Sequence, residues 1–151
     1  SVSWADTSEV SVTRGDAVKM LFDHTHRWDE AVGTPTFTDV AWDAPYAQAV
    51  AWAAQNGIAA GNGDGTFAPN APVTREQLAV MLSRYAALQG RALSAGQDAL
   101  NACSDAASVS GWAQSGVAQV LNGGLLTAEN GQFAPKATAM TDELANALAQ
   151  L

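Results

Sequence analysis

The chain repeats itself, and no other feature limits its fold as much. A repeated unit too short to bury its own apolar face has to pack against its copies. V-T-R-E-Q-L-A-V-M-L at 73–82 has a relative, V-T-R-G-D-A-V-K-M-L, at 12–21, so Arg75 and Arg14 stand 61 residues apart. G-T-F-A-P-N-A-P-V-T-R-E-Q-L-A at 65–79 matches G-Q-F-A-P-K-A-T-A-M-T-D-E-L-A at 131–145, with Phe67 on Phe133 and Pro69 on Pro135, 66 residues apart. At that offset F-T-D-V-A-W-D-A-P-Y, from 37, meets C-S-D-A-A-S-V-S-G-W, from 103, which places Asp39 on Asp105 and Tyr46 on Trp112.

Each copy reads as an Asp-containing loop, a first helix, a Gly-rich turn with F-A-P, and a second helix. In the central copy the first helix is expected over about 45–56, with Gly57 just past its end. The second is expected over about 74–89. Thr74 caps it and Gln77 stands three residues on, a capping-box pattern. Thr13 and Asp16 repeat that spacing. Leu78, Met81, Leu82, Tyr85 and Leu88 form one apolar stripe, as do Ala17, Met20, Leu21 and His24, and Leu144, Ala147, Leu148 and Leu151. Residues 35–94 hold a complete copy, 99–151 a degenerate one, and 1–34 only the second half of one. The expected fold is all-α: a pseudo-threefold helical bundle of helix–loop–helix repeats forming one module.

Composition excludes several functions. A net charge of −8 opposes nucleic-acid binding, which wants a basic face. It leaves room for an anionic ligand held by a few local cations. The single cysteine, Cys103, excludes an internal disulfide and, at the position of Phe37, reads as a small buried residue. The longest apolar-looking run, 46–60, is interrupted by Gln48, Gln55 and Asn56, so no membrane insertion is expected. The opening S-V-S-W-A-D-T-S-E-V lacks the basic and apolar regions of a signal peptide.

No catalytic or metal constellation stands out, and no cofactor fingerprint is present. His24 and His26 lie two apart and would not share a helix face. G-N-G-D-G-T at 61–66 resembles a calcium loop. With Gly65 at position 6, positions 1 and 12 fall on Ala60 and Ala71, where oxygen ligands are required. The stretch is therefore a turn between helices, its glycines permitting positive φ and Phe67 plugging the core.

F-T-D-V, G-I-A-A-G, D-G-T-F-A-P and V-T-R-E-Q, in that order over 37–85, closely resemble the S-layer homology repeat. That resemblance implies a non-catalytic, extracellular module of a bacterial cell wall. Such repeats act in threes and hold an anionic secondary cell-wall polysaccharide, often pyruvylated and linked to peptidoglycan, in grooves between copies. The family's T-R-A-E segment, which carries much of the binding, falls here on Thr74, Arg75, Glu76 and Gln77, and on Thr13, Arg14, Gly15 and Asp16. An arginine in the first turn sits beside free backbone N–H groups and the positive end of the helix dipole, which suits a carboxylate.

The candidate ligand-binding residues are thus Arg75, Arg14, Thr74, Glu76, Asp39 and Trp42. Each has a plainer reading. The arginines can be ordinary helix-start cations in salt bridges, Asp39 can cap its own turn, and Trp42, just before the first helix, can equally be core. Trp52, inside the first helix, reads as core. The third copy has Met140–Thr141 in place of Thr–Arg, so its groove is expected to be dead unless Lys136 substitutes in part. The rival function is a self-assembly module of a surface-layer protein, with vestigial grooves and other copies of the protein as partners.

Overall fold

The computed structural model describes residues 10–25, 37–91, 93–94 and 96–151. Trp4, His26, Trp28 and much of the expected half-copy at 1–34 lie outside the described residues. Among the described residues six α-helices run in order: α1 (Arg14–Thr25), α2 (Ala47–Gln55), α3 (Arg75–Leu88), α4 (Asp98–Asn101), α5 (Gln114–Asn122) and α6 (Thr141–Ala149). Two short 3₁₀ turns, Ala106–Ser108 and Gly111–Ala113, lead into α5. Among the described residues there is no β-strand, only isolated bridges, so this part of the chain is all-α.

The helix boundaries follow local chemistry. The Thr74 hydroxyl accepts the Gln77 N–H at 3.3 Å, and the Gln77 side chain accepts the Thr74 N–H at 2.9 Å, closing a full capping box on α3. The Asp16 N–H donates to the Thr13 hydroxyl at 3.1 Å in the same way at α1. Met140 has no hydroxyl, yet α6 keeps half of the box, because Glu143 Oε1 accepts the Met140 N–H at 3.0 Å. At the other end of α2, Gly57 takes φ +71° and the chain leaves the helix.

The segments just before α1, α3 and α6 meet at one point. The Val12 N–H donates to Ala139 O, the Ala139 N–H to Val73 O, and the Val73 N–H to Val12 O, at 3.0, 2.7 and 3.1 Å. A second set repeats one step further out: Arg14 N–H to Ala71 O, Arg75 N–H to Ala137 O, and Thr141 N–H to Val10 O, at 2.9, 2.8 and 2.7 Å. Val12, Val73 and Ala139 are fully buried at this junction.

Around it, second helices pack on the first helix of the following copy, α1 on α2 and α3 on α5. Phe22 of α1, Trp52 of α2 and Tyr85 of α3 contact in succession, the first pair tilted at 58° with ring centres 5.5 Å apart and the second edge to face at 6.1 Å. Trp52 is fully buried, as are Phe67 and Phe133 from the two F-A-P loops. Gly116 lets α5 approach α3 closely: a Cβ there would sit 3.0 Å from Val80 Cα. Cys103 is buried, and burial pushes its thiol pKa up.

Candidate functional site

Arg14 and Arg75 reach into equivalent loops of the following copy. Arg14 Nε donates to Phe67 O at 2.9 Å and a terminal nitrogen to Ala60 O at 2.7 Å. Arg75 Nε donates to Phe133 O at 2.8 Å and a terminal nitrogen to Thr127 O at 2.6 Å. Each guanidinium also lies over a phenylalanine ring, Arg14 at 4.4 Å from the centre of Phe67 and Arg75 at 4.6 Å from that of Phe133. Burial lowers the pKa of both arginines; Asp39 opposes this at Arg14, and Glu129 and Asp105 oppose it at Arg75.

The second terminal nitrogens differ. That of Arg75 forms an ion pair with Glu143 Oε2. Among the described residues, that of Arg14 takes no hydrogen bond or ion pair.

Asp39 holds the same loop from the other side. Its two oxygens accept the Phe67 and Ala68 N–H groups at 2.8 and 2.7 Å, 28 and 29 residues away. Asp105 does this for Phe133 and Ala134 at 2.9 and 2.8 Å. The clasped alanines share an unusual backbone, φ +58° at both Ala68 and Ala134. The hydrogen bond from Phe67 is the main reason the Asp39 carboxyl titrates below its ordinary range.

Glu76 is buried, at 3 % exposure, and faces inward. Its carboxylate accepts from the Ser110 N–H and hydroxyl at 2.9 and 2.8 Å and pairs with Lys136 Nζ at 2.9 Å. Burial pushes its pKa up, but the Ser110 and Lys136 bonds outweigh that and hold it below the usual value. Lys136 is thereby engaged with Glu76 and with the Ser110 hydroxyl. Trp42 stands out into solvent at 81 % exposure, and Trp112 at 62 %. Thr74 is half-buried in its capping box. The structure thus groups Arg14 with Asp39 at one loop and Arg75 with Glu143 at the other.

A cavity of about 460 Å³ opens beside Arg75, lined by Glu129, Asp142, Glu143, Gln132 and Met140 among others. Three carboxylates there face one guanidinium. Glu129, Asp142 and Glu143 lie outside the motifs that mark the candidate residues in the sequence. The available signal was the 66-residue register, which puts Glu143 on Gln77 and so at the one helical position known to turn back on its own N-terminus. Among the described residues, no group of three or more His, Cys, Asp or Glu is placed to hold a metal ion, and no helix is long and apolar enough to cross a membrane.

Residues 36–79 match the family model of the S-layer homology domain. That segment contains Asp39, Trp42, the clasped loop at Phe67 and the helix start at Arg75. That segment is thus similar to a family of generally non-catalytic modules associated with the cell surface and cell wall. No curated protein matches the chain.

Proposed function

We propose that the chain is a non-catalytic anchor for an anionic, carboxylate-bearing secondary cell-wall polysaccharide. It takes the glycan in grooves between copies arranged about a pseudo-threefold axis. The hydrogen bonds joining Val12, Val73 and Ala139 support that arrangement, because each copy gives one and takes one. In this reading the module comprises the half-copy at 1–34, the complete copy at 35–94 and the degenerate copy at 99–151.

The observation that carries the proposal is the bonding of the Arg14 guanidinium. Two of its nitrogens hold the loop, and the third is uncommitted among the described residues. A guanidinium already fixed by the protein loses little freedom when it meets a carboxylate, and such a bond contributes roughly 1.5–3 kcal/mol. Trp42, in the loop that also supplies Asp39, offers a flat apolar face for a sugar ring. Arg75, Thr74 and Glu76 serve mainly to build the second groove.

Co-sedimentation with purified sacculi tests this, before and after the secondary polymer is stripped. Stripping should abolish pelleting. Trp42→Ala, at a side chain in solvent, should weaken pelleting at least fivefold while leaving thermal stability unchanged. Pelleting that survives stripping overturns the reading.

The exposed faces of Trp42 and Trp112 also favour the self-assembly reading. Concentration-dependent sedimentation of the free protein, with no binding to sacculi, would select it.

A further inference from the structure

We propose that Glu143 is an internal stand-in for the ligand's carboxylate at Arg75, which makes the two arginine positions unequal; this rests on the anionic-glycan reading above. All three guanidinium nitrogens of Arg75 are engaged: two by the Phe133 and Thr127 carbonyls, one by Glu143 Oε2. Glu143 is itself tethered, because its other oxygen accepts the Met140 N–H at 3.0 Å. A carboxylate held at both oxygens, on a side chain only 23 % exposed, fills the donor an incoming sugar acid would need.

The adjoining cavity is large enough for a ligand. At about 460 Å³ it falls within the roughly 300–1,000 Å³ of small-molecule sites. Its charge is wrong for an anion, since Asp142 and Glu129 join Glu143 on its wall. The same step in register from Arg14 leads to Gln77. Gln77 caps the Thr74 N–H at 2.9 Å with a neutral amide, so the helix start needs no negative charge at this position. Glu143 is a difference in charge between two otherwise matching helix starts, and its carboxylate lies on Arg75.

The test is Glu143→Gln, which keeps the capping oxygen as Gln77 does. Assigned 15N spectra follow the Arg75 Nε–H resonance while D-glucuronate is added to the full chain. The variant should show a saturable shift with a Kd at least fivefold lower than the wild type. A gain below fivefold, or no shift at Arg75 in the variant, overturns the proposal. Asp142→Asn removes the same charge from the same cavity; an equal gain there also overturns it, because the effect would then be general charge.

Sacculus pelleting on the same samples separates the two readings. Wild-type pelleting with no gain in Glu143→Gln removes this inference and leaves the anchor. A gain in Glu143→Gln without pelleting by either protein leaves Glu143 as the block on Arg75 and removes the anchor.

Discussion

The guanidinium carbon of Arg75 lies 4.6 Å from the centre of the Phe133 ring. The side chain is therefore part of the packing between copies as well as a surface cation. Arg75→Ala would strand the Phe133 and Thr127 carbonyls and Glu143, and should cost about 3 kcal/mol in urea unfolding. Arg75→Lys should recover less than half of that, because one ammonium cannot serve the Nε and terminal acceptors together. Loss of glycan binding in Arg75→Ala needs a stability measurement beside it before it is assigned to contact.

Stability should fall in acid, and Asp39 should be one reason. Its folded pKa is depressed, chiefly by the Phe67 N–H, and those of Asp64 and Glu76 are lowered too. A depressed carboxyl contributes stability that is fully present above the unfolded pKa of about 4 and is lost as pH falls through the folded value. The urea midpoint should stay level from about pH 7 to pH 5 and drop below about pH 4. Asp39→Asn should lower the midpoint at pH 7 and flatten the acid limb.

Ala68 offers a change in the opposite direction. At φ +58° an alanine carries roughly 1–2 kcal/mol of steric cost that glycine avoids. Glycine gives back roughly 0.5–1 kcal/mol through the entropy of the unfolded chain. Ala68→Gly should therefore be stabilising by about 0.5 kcal/mol. The same change at buried Ala79, within α3, should destabilise by about 1 kcal/mol or more. Paired thermal melts compare the two.

Gly15 should not tolerate alanine. A Cβ there would lie 3.1 Å from Pro69 O and 3.2 Å from Tyr46 Cδ2. Gly15→Ala should cost about 1–3 kcal/mol by overpacking, read as a fall in Tm. The contact between the central and third copies shows the alternative solution. At the matching position Glu76 carries a full side chain to Ser110, and Trp112, the counterpart of Tyr46, is left 62 % exposed.

Much of the all-α fold was legible because its signals are local. Thr74 and Gln77 are three residues apart, Gly57 stands two residues past the end of α2, and the stripes of α3 and α6 keep helical spacing, so α2 and α3 start and stop within two residues of expectation. The turn glycines were legible for the same reason, and Gly63 and Gly65 take φ +90° and +89°. What crosses between copies was harder to read. A repeat period says which residues are equivalent but not which ones meet. Asp39 bonds across 28 residues to the loop at Phe67. The pairing of Arg75 with Glu143 joins one copy's helix start to the next copy's, a relation no single repeat contains. Glu76 was read as a glycan contact from its place beside Arg75, whereas the structure turns it inward to Ser110 and Lys136.

The hydrogen bonds from Val12 to Ala139, from Ala139 to Val73 and from Val73 back to Val12 form a cycle with no first or last member. Linear repeat stacks fray from their ends because a terminal unit has one neighbour. In a cycle every unit has two. Detaching any one of them breaks two contacts at once and leaves the remaining pair with one, so partial unfolding gains little on the way to complete unfolding. The three joined segments would then yield in one step, late and whole, with no gradual loosening before it.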